Sequence, residues 1–205
     1  MLLLTLAAFA ADPEAQATSC LEGRDPAACR DGGLAFAYGE GVERDDARAR
    51  TLFAAGCELA DPQSCFHKKL LSLPEGALDV EANEEGIATL KARCSSGRAS
   101  ACYRLGVFHD RGPMGYRDMS QAMMLFRQAC DDGEHGACFE QAADYASGGT
   151  DMGREKAEAL FEGSCTAGHA PSCRELGTLL RPSNPDRATE LTRRACELGD
   201  KSSCP

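Results

Sequence analysis

Residues 160–173 read LFEGSCTAGHAPSC, and residues 125–138 read LFRQACDDGEHGAC. Both stretches carry a Leu-Phe pair, then a Cys, a Gly three residues later, and a second Cys eight residues after the first. An alanine four residues before each Phe, Ala157 or Ala122, extends an apolar stripe with the i, i+4 spacing of a helix. Gly just after such a stripe is typical of a helix end, because it adopts the left-handed conformation there. The pattern therefore predicts a helix that ends in the turn between two cysteines.

Cysteine couples of this kind recur along the whole chain, so the 205 residues form an internal repeat. Successive couples begin 37, 37, 36, 35 and 31 residues apart. A new helix is expected after the second Cys of each couple, where Leu105-Gly106 and Leu176-Gly177 recur. Each couple then joins the end of one helix to the start of the next, where Cα atoms come within the roughly 5.5 Å of a disulfide. Pairing within couples is therefore favoured over long-range pairing. The couples are Cys20 with Cys29, Cys57 with Cys65, Cys94 with Cys102, Cys130 with Cys138, Cys165 with Cys173 and Cys196 with Cys204.

This period predicts an all-α, right-handed α-solenoid of about five helix-turn-helix repeats, stapled by six local disulfides. The repeat domain is expected at 29–205, after an N-terminal linker and cap at 11–28, with its tail pinned at Cys204. The repeats are expected at about residues 29–57, 65–94, 102–130, 138–165 and 173–196. The turns inside them are predicted at Gly39–Val42 before Asp45-Asp46, at Leu73–Asn83, Gly112-Pro113, Gly148-Gly149 and Arg181–Pro185.

The cysteines also indicate an oxidising compartment. Their number, 12, is even, and no Cys-x-x-Cys metal or haem motif occurs. Residues 1–10 hold a short apolar run with Ala8-Phe9-Ala10 as a small-x-small cleavage signature, which predicts a signal peptide and a mature start near Ala11. No later stretch approaches the roughly 18–20 apolar residues of a membrane helix. The sequence therefore predicts a secreted or periplasmic protein without a membrane span.

Composition and motifs exclude several classes of function. A formal charge of −10 argues against nucleic-acid binding, which needs a basic stripe. Neither Ser-x-x-Lys nor Lys-Thr-Gly occurs, and His67, His109, His135 and His169 lie in different repeats without metal-ligand spacing. No catalytic residue, metal site or cofactor is therefore expected. We interpret His135 and His169 as part of solvated disulfide turns, and His109 as a half-buried packing residue.

A ligand groove is the remaining candidate for a site. Tyrosine suits interfaces because it combines apolar area with a polar tip, and charged residues accompany it on the first helix of two repeats. The candidate groove residues are Tyr103, Arg104, His109, Asp110, Glu140, Asp144 and Tyr145.

The first repeat resembles a known family. Cys29, Gly33, Phe36, Gly39, Gly41 and Val42 are similar to the Sel-one-like repeat (SLR) pattern Cys-x-x-Leu-Gly-x-x-Tyr-x-x-Gly-x-Gly-Val, a relative of the tetratricopeptide repeat, with Gly32 in place of Leu. With a cysteine couple in every repeat, residues 20–204 resemble the secreted helicobacter cysteine-rich (Hcp) proteins.

That resemblance implies two functions. As an SLR protein, the chain would be an adaptor without catalysis that binds a protein, a peptide or a peptidoglycan (cell-wall) fragment in its groove. As an Hcp-like protein, it would bind β-lactams and act as a weak β-lactamase. A third alternative, an assembly factor of the mitochondrial intermembrane space, is disfavoured by the apolar leader. Hydrolysis of a reporter β-lactam distinguishes the first two.

Overall fold

The computed structural model describes residues 12–71 and 84–204. The predicted signal peptide at 1–10 and the predicted turn at 73–83 lie outside the described residues. Eleven α-helices, two short 3-10 helices and no strand occur within those two ranges, so the all-α repeat fold with six local disulfides is confirmed. The helices are α1 Pro13–Leu21, α2 Pro26–Tyr38, α3 Asp46–Glu58, α4 Pro62–Leu71, α5 Glu84–Ser95, α6 Ala99–Arg111, α7 Met119–Asp131, α8 His135–Ser147, α9 Asp151–Thr166, α10 Ala170–Leu180 and α11 Pro185–Glu197. The 3-10 helices are Met114–Tyr116 and Lys201–Ser203.

The described residues form two compact units. The first holds 12–71, 84–89 and 111–116, and the second holds 90–110 and 117–204. Helices that follow one another in the chain pack together in both, from α1 to α4 in the first and from α7 to α11 in the second. Below, α2, α4, α6, α8 and α10 are called first helices, and α3, α5, α7, α9 and α11 are called second helices. Each second helix ends in a disulfide turn.

The six disulfides join the cysteines within each predicted couple. They link Cys20 to Cys29, Cys57 to Cys65, Cys94 to Cys102, Cys130 to Cys138, Cys165 to Cys173 and Cys196 to Cys204. The second cysteine of a couple lies near the start of a first helix, as Cys65 does in α4 and Cys102 in α6. Cys102 is fully buried, whereas Cys65 is half-buried and its Sγ lies 3.7 Å from the carbonyl oxygen of Cys57. The disulfides therefore connect successive helices at the positions that the cysteine spacing predicts.

The disulfide turns have one shared geometry. Cα–Cα distances across the six couples lie between 4.5 and 4.9 Å. As predicted, a left-handed residue follows the first Cys by three positions, from Gly97 with φ 84° to Gly199 with φ 98°. Ala60 takes the same conformation with φ 63°, at a steric cost of about 1–2 kcal/mol. In the first turn the left-handed residue is Arg24, not the expected Gly23, because that couple is separated by nine residues instead of eight.

Phenylalanines on second helices fill the core by packing onto glycines of first helices. A Cβ at Gly33 would lie 2.6 Å from the Phe53 ring, and one at Gly106 would lie 2.7 Å from the Phe126 ring. These glycines are needed for that close approach, which leaves the Phe53 and Phe126 rings at most 2% exposed. In the second unit, Phe161 lies in an apolar cluster that also contains the Cys165–Cys173 disulfide.

Successive disulfide turns are linked by the residue that follows the second Cys of a couple. Arg30, after Cys29, lies 3.7 Å from the Asp61 carboxylate in the next turn. Arg174, after Cys173, donates to Asp200 at 2.9 Å, and Asp200 accepts N–H and O–H bonds from Ser202. The same position thus links one pair of neighbouring turns in each compact unit.

Candidate functional site

The predicted groove residues lie on two first helices of the second unit, and the structure divides them by exposure. Arg104 and His109 are buried, with 4% and 8% of their surface exposed. His109 meets the ring of Phe108 edge-on, with centroids 5.8 Å apart, which agrees with its interpretation as a packing residue. Asp144 is exposed, and the other four are half-buried: Tyr103, Asp110, Glu140 and Tyr145. The buried pair is therefore not available for direct contact with a ligand.

Tyr103 has a packing role between helices. Its ring lies 3.0–3.1 Å from the position of a Cβ at Gly136, at the start of α8. The ring centroid of Phe126 is 6.0 Å away in a tilted arrangement. Tyr103 therefore joins α6 to α7 and α8, and replacing it would change the structure as well as any ligand contact.

Tyr145 remains as the aromatic centre of an accessible site. It packs against the apolar cluster of the second unit, and the Lys156 ammonium lies 5.1 Å from its ring centroid. Such a cation over an aromatic face is attracted by the ring quadrupole. Glu140 and Asp144 lie one helical turn apart on α8, and Asp144 directly precedes Tyr145 in the sequence. We call Glu140, Asp144, Tyr145 and Lys156 the Tyr145 surface.

The pairing of a cation with a first-helix ring recurs in the first unit. The Arg48 guanidinium lies 4.0 Å from the Phe36 ring centroid. Phe36 and Tyr145 each follow a second Cys by seven residues, and Arg48 and Lys156 each precede the next first Cys by nine. The sequence analysis missed Lys156, although a basic residue nine positions before Cys57, Cys165 and Cys196 is a visible signal.

Carboxylates bind two of these cations. Glu14 accepts two hydrogen bonds from Arg48 at 2.7 and 2.6 Å, which lower the pKa of Glu14 and raise that of Arg48. Glu162 accepts from Arg187 at 2.7 and 2.8 Å, and this pair raises the pKa of Arg187. Lys156, like Arg48, lies over an aromatic ring, that of Tyr145.

The second unit also has a cleft, which α9, α10 and α11 line. It has a volume of about 440 Å³ and an apolar floor at Leu176 and Leu180. Its walls are polar: Glu155, Glu158, Glu162, Asn184 and Arg187. Glu155 precedes Lys156 on α9, so the cleft and the Tyr145 surface share that helix. Glu162 binds Arg187 and Glu158 binds Arg154, so Glu155 is the carboxylate of this cleft that adds to the negative charge near Lys156.

His169 differs from its interpretation as a residue of a solvated turn. It is half-buried, its ring meets Phe139 edge-on at 5.6 Å, and its Nδ1 lies 2.8 Å from the Ser172 hydroxyl. Burial, and then the neighbouring His135, lower the pKa of His169. This histidine therefore stabilises the turn in its neutral form.

Two further properties concern only the residues that the structure describes. Among them, no group of three or more His, Cys, Asp or Glu side chains is arranged to hold a metal ion. Within the same ranges, every helix is too short or too polar to cross a membrane.

The repeat matches a known sequence family. The profile of the Sel1 repeat matches residues 25–61, 99–134 and 164–200, which together make up more than half of the chain. Each matched segment holds a first helix, the second helix after it and the flanking turns. No curated protein sequence matches the chain significantly.

Crystal structures with a similar fold include those of three bacterial proteins. One is a protective antigen of uropathogenic Escherichia coli with an SLR fold, at 19% identity and a TM-score of 0.59 over 94% of this chain and 43% of that chain. The chain thus spans less than half of that antigen's length. Another is a Sel1 repeat protein from Oxalobacter formigenes, at 21% identity and a TM-score of 0.54 over 91% and 80% of the two chains. The third is an immunity protein from Pseudomonas aeruginosa, at 16% identity and a TM-score of 0.50 over 87% of this chain and 67% of that chain. At these identities the likeness shows the fold alone.

Proposed function

Because the chain belongs to the Sel1 repeat family, we propose that it is a secreted or periplasmic scaffold that binds a protein or peptide partner through the Tyr145 surface. Sel1 repeats generally mediate protein interactions, and this fold presents first helices repeatedly in the same register. The observation that carries the proposal is the half-buried Tyr145 ring beneath the Lys156 ammonium, beside the exposed Asp144 carboxylate.

The chemistry of this surface favours a basic peptide segment with an apolar residue. Tyr145 is held by the core beneath it, so its ring offers apolar contact at little cost in side-chain entropy. The exposed carboxylates of Asp144 on α8 and Glu155 on α9, the residue before Lys156, attract Lys or Arg side chains. The net charge of −10 increases the rate of encounter with such a segment.

Selection from a phage-displayed library of random 12-residue peptides on the oxidised full chain tests the binding site. We expect the selected peptides to be rich in Lys and Arg, and Tyr145→Ala to weaken their binding about tenfold or more, as for an aromatic residue at the centre of an interface. Tyr116→Ala is the matched control, because Tyr116 is an exposed tyrosine on the 3-10 helix Met114–Tyr116 in the other compact unit. Equal losses in the two variants, or none in Tyr145→Ala, would contradict the proposal.

The secreted or periplasmic location is supported by the disulfides. All twelve cysteines are paired, and disulfides of this density persist in oxidising compartments. Expression in a bacterial host with the native N-terminus, followed by cell fractionation and peptide mapping without reductant, tests it. We expect a start near Ala11 and six oxidised couples in the periplasmic fraction. Retention in the cytosol with free thiols would contradict this location.

A further inference from the structure

An ion pair joins alternate helices of the chain in each compact unit. Arg48 of α3 binds Glu14 of α1, and Arg187 of α11 binds Glu162 of α9, each through two hydrogen bonds of 2.6–2.8 Å. Both arginines precede the first Cys of their couple by nine residues. The repeat therefore has a position for a cation that takes a carboxylate from the helix two before its own.

Lys156 occupies this cation position on α9, but the helix two before it, α7, has no carboxylate to offer there. Glu162 lies three residues before the first Cys of its couple, and Glu14 lies six residues before. The corresponding residues of α7 are Arg127 and Met124, and the only acidic residue within α7 is its last one. The register of the repeat thus sets a second cation, Arg127, where α9 has a carboxylate.

The positions around this cation pair change in the same direction. Three walls of the cleft formed by α9, α10 and α11 are carboxylates, at ten, seven and three residues before the first Cys. On α7 the same three positions are Ser120, Met123 and Arg127. Leu180 on the floor of that cleft corresponds to Tyr145, because each follows a second Cys by seven residues. One repeat earlier, the acidic walls are therefore replaced by apolar and basic ones.

Both cations are accessible to a ligand. Arg127 and Lys156 are exposed, and in the part of the chain that the structure describes neither of them makes an ion pair. Arg154, on the same helix as Lys156, is by contrast already bound by Glu158 at 3.1 Å. Two cations without a carboxylate, on helices that both pack against α8, attract an anionic group.

We propose that Arg127 and Lys156 bind a carboxylate of the peptide that occupies the Tyr145 surface, in the place that the Glu162 side chain has beside Arg187 one repeat later. A carboxylate suits this place because it accepts hydrogen bonds from a guanidinium and an ammonium at once. The inference rests on the proposed function, since it adds an acidic group to the apolar and basic residues expected of that peptide.

Short peptides of defined sequence test the carboxylate directly. We would compare the tripeptide Lys-Leu-Glu, acetylated and amidated at its ends, with Lys-Leu-Gln capped in the same way, each at millimolar concentration. The oxidised full chain carries ¹³C at its methionine methyl groups, of which there are six. Shifts are expected at Met124, which is 63% exposed and lies one helical turn from Arg127, and not at Met114, which is 89% exposed in the other compact unit. The Glu peptide should bind about fivefold more tightly, as expected for an exposed ion pair.

An acidic side chain and the end of a chain both supply a carboxylate, and a third peptide distinguishes these two sources. Lys-Leu-Gln with a free C-terminus should bind as weakly as its amidated form if the group is a side chain. It should match the Glu peptide if the group is a chain end. Inorganic phosphate is the fourth probe, and a shift of Met124 by phosphate at the concentration that suffices for the Glu peptide would overturn the assignment to a peptide.

Variants assign the effect to the two cations. Lys156→Met and Arg127→Met should each remove most of the preference for the Glu peptide, and both should still bind the Gln peptide. Arg127→Glu supplies Lys156 with a carboxylate of the chain itself, so it should weaken binding of the Glu peptide at least tenfold. Arg154→Met is the matched control, because it removes a cation that is already paired, two residues before Lys156 and on another side of α9, and it should keep the preference.

The outcomes distinguish this inference from the proposed function. If the Glu and Gln peptides bind equally and both lose affinity in Tyr145→Ala, the Tyr145 surface binds peptides and the carboxylate site is refuted. A preference for the Glu peptide that survives Arg127→Glu would refute it as well. If no peptide shifts Met124, or if Tyr145→Ala leaves all binding unchanged, the proposed function fails together with this inference.

Discussion

Replacing cysteine couples with alanine, one couple at a time, separates two contributions of a disulfide to the stability of this repeat. Five of the six couples have the same sequence separation of 8. The loss of loop-closure entropy in the unfolded chain is therefore the same for each, about 2.6 kcal/mol at 25 °C by the chain-entropy relation. Any difference in the loss of unfolding free energy between their double alanine variants therefore reports the surroundings of the sulfur atoms.

Those surroundings differ most between two neighbouring couples. Cys165 and Cys173 are 3% and 0% exposed and lie inside the apolar cluster around Phe161, whereas Cys204 is exposed and Cys196 half-buried. Removing two buried sulfur atoms costs about 2 kcal/mol more, in transfer free energy and cavity formation. We expect C165A/C173A to lose about 4–5 kcal/mol of unfolding free energy and C196A/C204A about 2.5 kcal/mol.

Urea unfolding followed by circular dichroism at 222 nm measures both losses, because the chain has no Trp for fluorescence. The m-value should change equally in the two variants, because both disulfides close loops of the same length, and the two midpoints should be ordered as stated. Equal losses would refute the contribution of sulfur burial. Losses far below 2.6 kcal/mol in both variants would refute the loop-entropy reasoning.

Three more outcomes test the packing, the histidine and the turn contacts. Gly106→Ala should lower the free energy of unfolding by about 1–3 kcal/mol, because the new Cβ would lie 2.7 Å from the Phe126 ring. Gly163→Ala should raise it by about 0.5–1 kcal/mol through helix propensity, because no atom lies within 4 Å of the new Cβ. Thermal unfolding shows the signs, and two changes of the same sign would contradict the argument. Since burial lowers the pKa of His169, its neutral form is the stable one, and stability should fall as pH drops below the ordinary value of about 6.5. His169→Asn should flatten the fall of Tm between about pH 7.5 and 5.5, and an unchanged slope would be evidence against this role. Arg174→Met should lower the free energy of unfolding by less than about 1 kcal/mol, because the Arg174 side chain is 32% exposed. It should nevertheless speed amide hydrogen exchange at 198–204, because it removes the hydrogen bonds to Asp200 and Ser202. Exchange that stays slow would show that the disulfide alone holds this tail.

The cysteine spacing, with the apolar stripes and glycines around it, was sufficient to predict the period, the helix pairs and the local disulfides, because each helix end is marked by neighbouring residues and each disulfide joins residues only eight or nine apart. The burial of Arg104 was not predictable in this way. Helical periodicity gives the face of a helix on which a residue lies, but not which neighbours cover that face. Lys156 was missed for a related reason, since its contact with Tyr145 depends on how α8 and α9 cross.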